Sequence, residues 1–242
     1  MQPPGPPDAV ADVEPGALLV AAPGLLDPNF RRTVVFVIDH RESGTLGVVL
    51  NRPSEVAVAD VLPSWGRHTS RPQAVFVGGP VEQKTGLCLA ALRPGRQAGS
   101  IDGVVGVRGP VALVDLDSDP NAISSLLRGL RVFAGYSGWD PGQLDGEVQR
   151  GDWMVVPALP DDVLTRKDAG LWGHVLRRQG IRIVIDDGLV AMFAGTLAPD
   201  GSEDLEISFC GGPCHARLIS RPGNIVVLLT DSIAIDARPL RR

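Results

Sequence analysis

Residues 131–157, RVFAGYSGWDPGQLDGEVQRGDWMVVP, read as a strand, a helix and a second strand in quick succession. Val132, Phe133 and Ala134 form an apolar run that stops at Gly135-Tyr136-Ser137-Gly138-Trp139, where glycines beside an aromatic pair permit backbone angles and close approaches that other residues resist. Asp140 is placed to cap a helix with Pro141 in its first turn, Leu144 and Val148 lie four apart on one face, and Gly151 ends it. Trp153 to Val156 then returns as a strand. The unit speaks of architecture rather than chemistry.

Upstream, the chain is a series of apolar runs cut by turn residues. Ala17 to Ala22 reads as a buried strand, Thr33 to Ile38 as a β-branched one, and Thr45 to Leu50 as its hairpin partner across the polar loop Asp39 to Gly44. That partner halts at Asn51-Arg52-Pro53. A guanidinium at the end of a buried strand can hold an anion through two parallel bonds, while the plainer reading has Asn51 closing a turn and Arg52 paired with a carboxylate of the fold. Val56 to Trp65 reads as one short helix. Ala74 to Val77 is a strand stopped by Gly78-Gly79-Pro80, whose glycines serve a tight turn or, less simply, an anion-binding nest; no P-loop or dinucleotide spacing is present.

Gly86 to Leu92 reads as a strand carrying Cys88, a residue type that is more often small core than nucleophile. Residues 93–109 show little pattern, and Val111 to Leu116 form a further strand. Asp115, Asp117 and Asp119 are spaced like cation ligands, but the calcium-loop glycine and glutamate are missing. Asp119 fits better as the N-cap of a helix with Pro120 at its start and Ile123, Leu126, Leu127 and Leu130 along one stripe.

Past the central stretch, Asp168 is placed to cap a helix over Leu171 to Arg178, on which His174 reads as a surface histidine. From Ile181 the texture turns to short β segments, with Asp186-Asp187-Gly188 as a hairpin signal. Cys210, Cys214 and His215 do not make a metal set: three residues separate the cysteines and no second pair completes a tetrahedral shell. The sequence calls for no cofactor and no metal.

Composition bounds the rest. The 242 residues are 44% apolar and 21% charged with a formal net charge of −5, which fits one main soluble domain with an appendage and argues against nucleic acid as the default partner. No apolar segment approaches the ~20 residues that cross a bilayer. The start, MQPPGPPDAVADVEPG, lacks the basic and hydrophobic stretches of a secretory signal, and the three cysteines suit a reducing compartment, so a cytoplasmic location is expected. Residues 1–15, Pro-rich and without apolar periodicity, are expected to be a disordered tail.

Taken together, Gly16 to Ala21, Phe30 to Val34, Gly44 to Pro53, Phe76 to Val81, Arg131 to Trp139, Gln143 to Glu147 and Trp153 resemble, in order, the YqgE/AlgH family of bacterial proteins. The likeness covers roughly residues 16–180, and the acidic balance with the Leu171-Trp172 helix looks actinobacterial. It implies an α+β fold with a curved, partly barrel-like mixed or antiparallel sheet and several short helices. Residues 181–242 stand outside it as a β-rich C-terminal extension, through either a fused segment or an altered reading frame. One family member is linked to transcriptional control of alginate synthesis, but this chain has no recognisable helix-turn-helix. The family brings no established catalytic residues.

The first functional expectation is a non-enzymatic regulatory or binding domain for an unknown small molecule or protein. Its site would combine Asn51, Arg52, Gly78, Gly79, Tyr136 and Trp139. The alternatives are a hydrolase-type enzyme using a carboxylate or a thiol such as Cys88 beside His40 or His68, a transcription-linked regulator, and a homo-oligomer with Trp139 and Trp153 in a self-interface.

Overall fold

A computed structural model describes residues 12–165 and 170–179 and, as backbone alone, the segments 181–186, 189–194, 202–209, 212–221 and 224–229. Most of the Pro-rich tail, the Asp168 cap, the Asp187-Gly188 turn and Cys210 therefore lie outside the described residues. Residues 27–172, with the described segment up to Ala22, form one compact unit, and the residues from Gly173 on group with Pro23–Leu26 in a second.

In the first unit the strands are β1 (Ala17–Ala21), β2 (Val34–Arg41), β3 (Gly44–Val49), β4 (Pro53–Ala57), β5 (Ala74–Val77), β6 (Val81–Leu92), β7 (Val104–Arg108), β8 (Val111–Val114), β9 (Leu127–Trp139) and β10 (Trp153–Pro157). Five one- to two-turn helices connect them: α1 (Val58–Val61), α2 (Pro63–Gly66), α3 (Pro120–Ser124), α4 (Gln143–Gln149) and α5 (Pro160–Val163); α6 (Leu171–Arg178) follows. The strands make one ten-stranded sheet in the order β10-β1-β2-β3-β9-β6-β8-β7, with β5 joined to β9 and β4 to β5. Every pairing is antiparallel except β5 with β9. The class is α+β, and the sheet curls into a half-barrel, as the family resemblance implies.

β9 holds that sheet together. Its first half pairs with β6, from Leu127 opposite Leu92 to Ala134 opposite Gly86, and its second half pairs with β3, Ser137 to Trp139 opposite Gly47 to Thr45. Between the halves Gly135 takes φ +68°. A Cβ there would stand 2.7 Å from the Val81 carbonyl oxygen, so the corner is open to glycine alone.

α4 starts at Gln143 behind Gly142 as its N-cap, so Pro141 precedes the helix and Asp140 gives it no side-chain cap. Three further segments differ from the sequence reading. The stripe from Ile123 to Leu130 is not one helix: α3 stops at Ser124, with the Asp119 carboxylate accepting from Asn121 N at 2.9 Å, and Leu127 already pairs with β6. Residues 56–65 divide into the end of β4, α1 and α2, because Pro63 at the start of α2 breaks any continuous helix. Within the patternless stretch 93–109, β7 forms as the partner of β8. Long-range ladders override local spacing in the first and third cases.

The core of the barrel half packs Trp65, Val75, Cys88, Val114, Leu130 and Val132. Trp65 is anchored by its Nε1–H donating to Leu116 O at 2.9 Å. In the second unit β11 (Ile181–Asp186), β12 (Leu189–Ala194), β13 (Ser202–Phe209), β14 (Gly212–Arg221) and β15 (Asn224–Leu229) form a five-stranded antiparallel sheet in sequence order. Among the described residues no helix is long and apolar enough to cross a membrane.

Candidate functional site

The Asn-Arg-Pro corner divides its labour. Asn51 is buried: its Oδ1 accepts from Val34 N and its Nδ2 donates to Arg32 O, both at 2.9 Å, so the amide replaces two ladder partners where β2 begins. Arg52 is half-buried and points its Nη2 to Arg31 O at 2.8 Å, while its own carbonyl accepts from Val77 N. Among the described residues no carboxylate pairs with it.

The Gly-Gly-Pro corner is a crossing of three chain segments. Gly78 N donates to Ala134 O at 2.9 Å, and Gly78 O accepts from Val49 N at 2.8 Å and from Ser137 Oγ at 3.1 Å. A Cβ on Gly78 would run into the Gly135 carbonyl and one on Gly79 into the Tyr136 carbonyl, so contact between β5 and β9 requires both glycines. The Gly78 N–H serves the fold and is not aimed at a ligand.

Arg52 and Pro53 of the first corner and Gly79 and Pro80 of the second line one cleft of about 300 Å³, with Pro28, Asn29, Val77 and Gln83 in its walls, whereas Asn51 and Gly78 do not line it. Arg52 is the one charged residue among the described residues lining it. Asn29 is delivered by a tight turn in which its backbone N–H donates to Asp27 Oδ1 at 2.8 Å. Gln83 sits on the bulge where β6 leaves its register with β9. Neither amide carried a signal in the sequence, since both lie in irregular backbone without periodicity.

The structure places the remaining candidates elsewhere. Tyr136 lies opposite Val81 on β9, half-buried, and does not line the cleft. Trp139 belongs to a buried aromatic cluster: its ring stacks on Phe30 at 5.9 Å between centroids and meets Trp153 edge-on. Its Nε1 donates to Glu147 Oε2 at 2.9 Å.

Groups suited to covalent or acid–base chemistry are dispersed. Cys88 is buried, and loss of hydration pushes its thiol up to about 12, against a smaller opposing effect of a backbone hydrogen bond at Arg131. His40 Nδ1 is 2.7 Å from Thr45 Oγ1, and His68 Nε2 accepts from Arg67 Nε at 3.0 Å. Asp115 accepts from Asp117 N and Asp119 from Asn121 N, both at 2.9 Å, so these carboxylates tie local turns. Among the described residues no three His, Cys, Asp or Glu side chains converge as metal ligands.

A family model described as AlgH-like matches residues 18–184. The chain belongs to the AlgH-like family. A UPF0301 protein of Mycolicibacterium smegmatis is 55% identical over 167 residues, covering 69% of this chain and 83% of the relative, and one of Rhodococcus opacus is 54% identical over 173 residues, covering 72% and 86%. The AlgH-like chain is also similar to the crystal structure of a Corynebacterium diphtheriae protein, with TM-score 0.69 and 39% identity over 71% of this chain and 90% of that one. The solution structure of AlgH from Pseudomonas aeruginosa aligns with TM-score 0.55 and 25% identity, covering 75% of this chain and 94% of that one. The AlgH-like match takes in β1 to β10, and with them the Arg52–Gly79 cleft.

Proposed function

We propose that this AlgH-like chain is a non-enzymatic binding domain of the cytoplasm, and that a small molecule or a segment of a regulated protein seats in the cleft between Arg52 and Gly79. One observation carries the reading. A half-buried guanidinium, steered by a backbone carbonyl, faces a cleft whose other polar side chains are the neutral amides of Asn29 and Gln83. A cation fixed in this way is pre-organised for recognition, and among the described residues lining the cleft none is a general base or nucleophile that could turn over what it holds.

Native mass spectrometry of the purified full chain, compared with Arg52→Ala, tests the reading. The parent retains a small molecule or captures one from a metabolite extract, and Arg52→Ala, folded by circular dichroism, loses it. Retention of every ligand by Arg52→Ala overturns the assignment.

A further inference from the structure

A second, larger depression of about 1060 Å³ lies on the same unit, and Val77 and Gln83 line both it and the Arg52 cleft. The two spaces are therefore neighbours across a single pair of side chains. The larger one is a trough with apolar walls to which Val56, Leu87 and Phe133 contribute. Four valines on it are open to solvent: Val56 at 44%, Val61 at 55%, Val77 at 40% and Val105 at 66% relative exposure. Folded monomers seldom gather exposed β-branched residues around one depression unless something apolar covers them.

Charge gives the combined space a direction. Arg52 stands beyond Val77, at the cleft end. Asp115 and Asp117, fixed to each other by the bond from Asp117 N, line the trough together with Lys84 and leave it with one negative charge in excess, and the cleft contains none of the three. An anionic head is attracted at Arg52 and repelled beside the two aspartates, whereas a hydrocarbon chain gains from the valines between.

We infer that the cleft and the trough are one site for a medium- to long-chain aliphatic monocarboxylate. This rests on the reading of the Arg52 cleft as a binding site and adds the class of its ligand. The carboxylate bonds to the edge of the guanidinium left open by the Nη2 contact with Arg31 O, since a guanidinium has five N–H donors. The chain passes Val77 and lies along the trough toward Val105. One cation in the cleft matches one negative charge, which favours a carboxylate over a phosphate monoester carrying about −1.5 to −2.

Isothermal titration of the full chain with butanoate, octanoate, decanoate and dodecanoate, below their micellar concentrations, provides the test. Octan-1-ol and octyl phosphate serve as comparison ligands. Affinity should rise about three- to four-fold per added methylene from octanoate onward, as transfer of a CH₂ from water dictates. Octan-1-ol should bind at least ten-fold more weakly than octanoate, and octyl phosphate no more tightly. Arg52→Gln should cut octanoate affinity at least ten-fold, while Val77→Ser should weaken octanoate, whose chain passes it, more than butanoate.

Equal affinity for butanoate and dodecanoate overturns the trough as part of the site, and octan-1-ol binding as well as octanoate overturns the head assignment. Tighter binding of octyl phosphate overturns the carboxylate in favour of a phosphate. Loss of octanoate binding in Lys84→Gln with none in Arg52→Gln overturns the orientation. If no acid binds the parent while a native ligand sensitive to Arg52→Ala is found by mass spectrometry, the ligand class is wrong and the cleft reading stands.

Discussion

Trp139 and Trp153 meet edge-on, 5.9 Å between ring centroids, and both indole N–H groups donate to the same Glu147 oxygen, at 2.9 and 2.8 Å. Trp139 ends β9, Trp153 opens β10, and Glu147 lies on the helix α4 between them. The helix thus supplies one carboxylate that satisfies two buried donors, and the Glu147 Oε1 atom takes a further bond from Gln143 Nε2 at 2.9 Å. The Trp139 indole N–H, expected from the sequence to face a ligand or a partner subunit, is engaged within the fold.

Glu147→Ala should destabilise the first unit by about 3 kcal/mol, because it leaves two buried indole donors without an acceptor. Glu147→Gln keeps an oxygen in place and should cost about 1 kcal/mol. Urea unfolding followed by tryptophan fluorescence checks both; equal losses for the two variants would exclude the shared acceptor as the cause.

Gly135→Ala should destabilise by about 3 kcal/mol or more, since it combines a left-handed backbone with a Cβ pressed on the Val81 carbonyl. Gly142→Ala is the matched control. Gly142 also has positive φ, +71°, but open space around its missing Cβ, so its cost should stay near 1 kcal/mol. Similar losses at the two sites would show that the β9 corner tolerates a side chain.

Asn51→Ala should cost about 2–4 kcal/mol through the unpaired Val34 N–H and Arg32 carbonyl. Asn51→Asp keeps an acceptor for Val34 but sets a carboxylate oxygen against the Arg32 carbonyl, and should be no more stable than Asn51→Ala. Amide hydrogen exchange at Val34, fast in both variants and slow in the parent, locates the effect.

Cys88 makes stability depend on pH at the alkaline end. Its pKa rises from 9.0 to about 12 on folding, so the folded chain holds the proton more tightly than the unfolded one. The thiol has no effect below about pH 9. Above it the unfolded state ionises first, and stability falls by up to about 1.4 kcal/mol per pH unit until about pH 12. The difference in unfolding free energy between the parent and Cys88→Ala, both in a Cys210→Ser, Cys214→Ser background, should carry this slope. In that background the native thiol should resist Ellman's reagent at pH 8 and react after unfolding.

Much of this molecule is local. The hairpin β2–β3 follows from two β-branched runs around a polar turn, α4 from Leu144 and the glycine that closes it, and α3 from Asp119 and Pro120. In each case the residues that decide the element lie within a few positions of it, so the pattern can be read directly. The order of motifs from Gly16 to Trp153 likewise carries the family membership without any coordinates.

What the sequence could not display is which distant segments share a ladder. Leu127 lies at a helical spacing from Ile123, yet it becomes strand because Leu92 is its partner, and residues 104–108 become strand because β8 lies alongside. The same holds for the candidate site. Arg52 and Gly79 face one cleft because Val77 pairs across to Arg52 and Gly78 to Ala134, while the turn at Gly135 sends Trp139 on to Glu147. Apolar runs say which residues leave water; only the closing of non-local hydrogen-bonded ladders says which of them meet, and whether a cleft and a trough end up side by side.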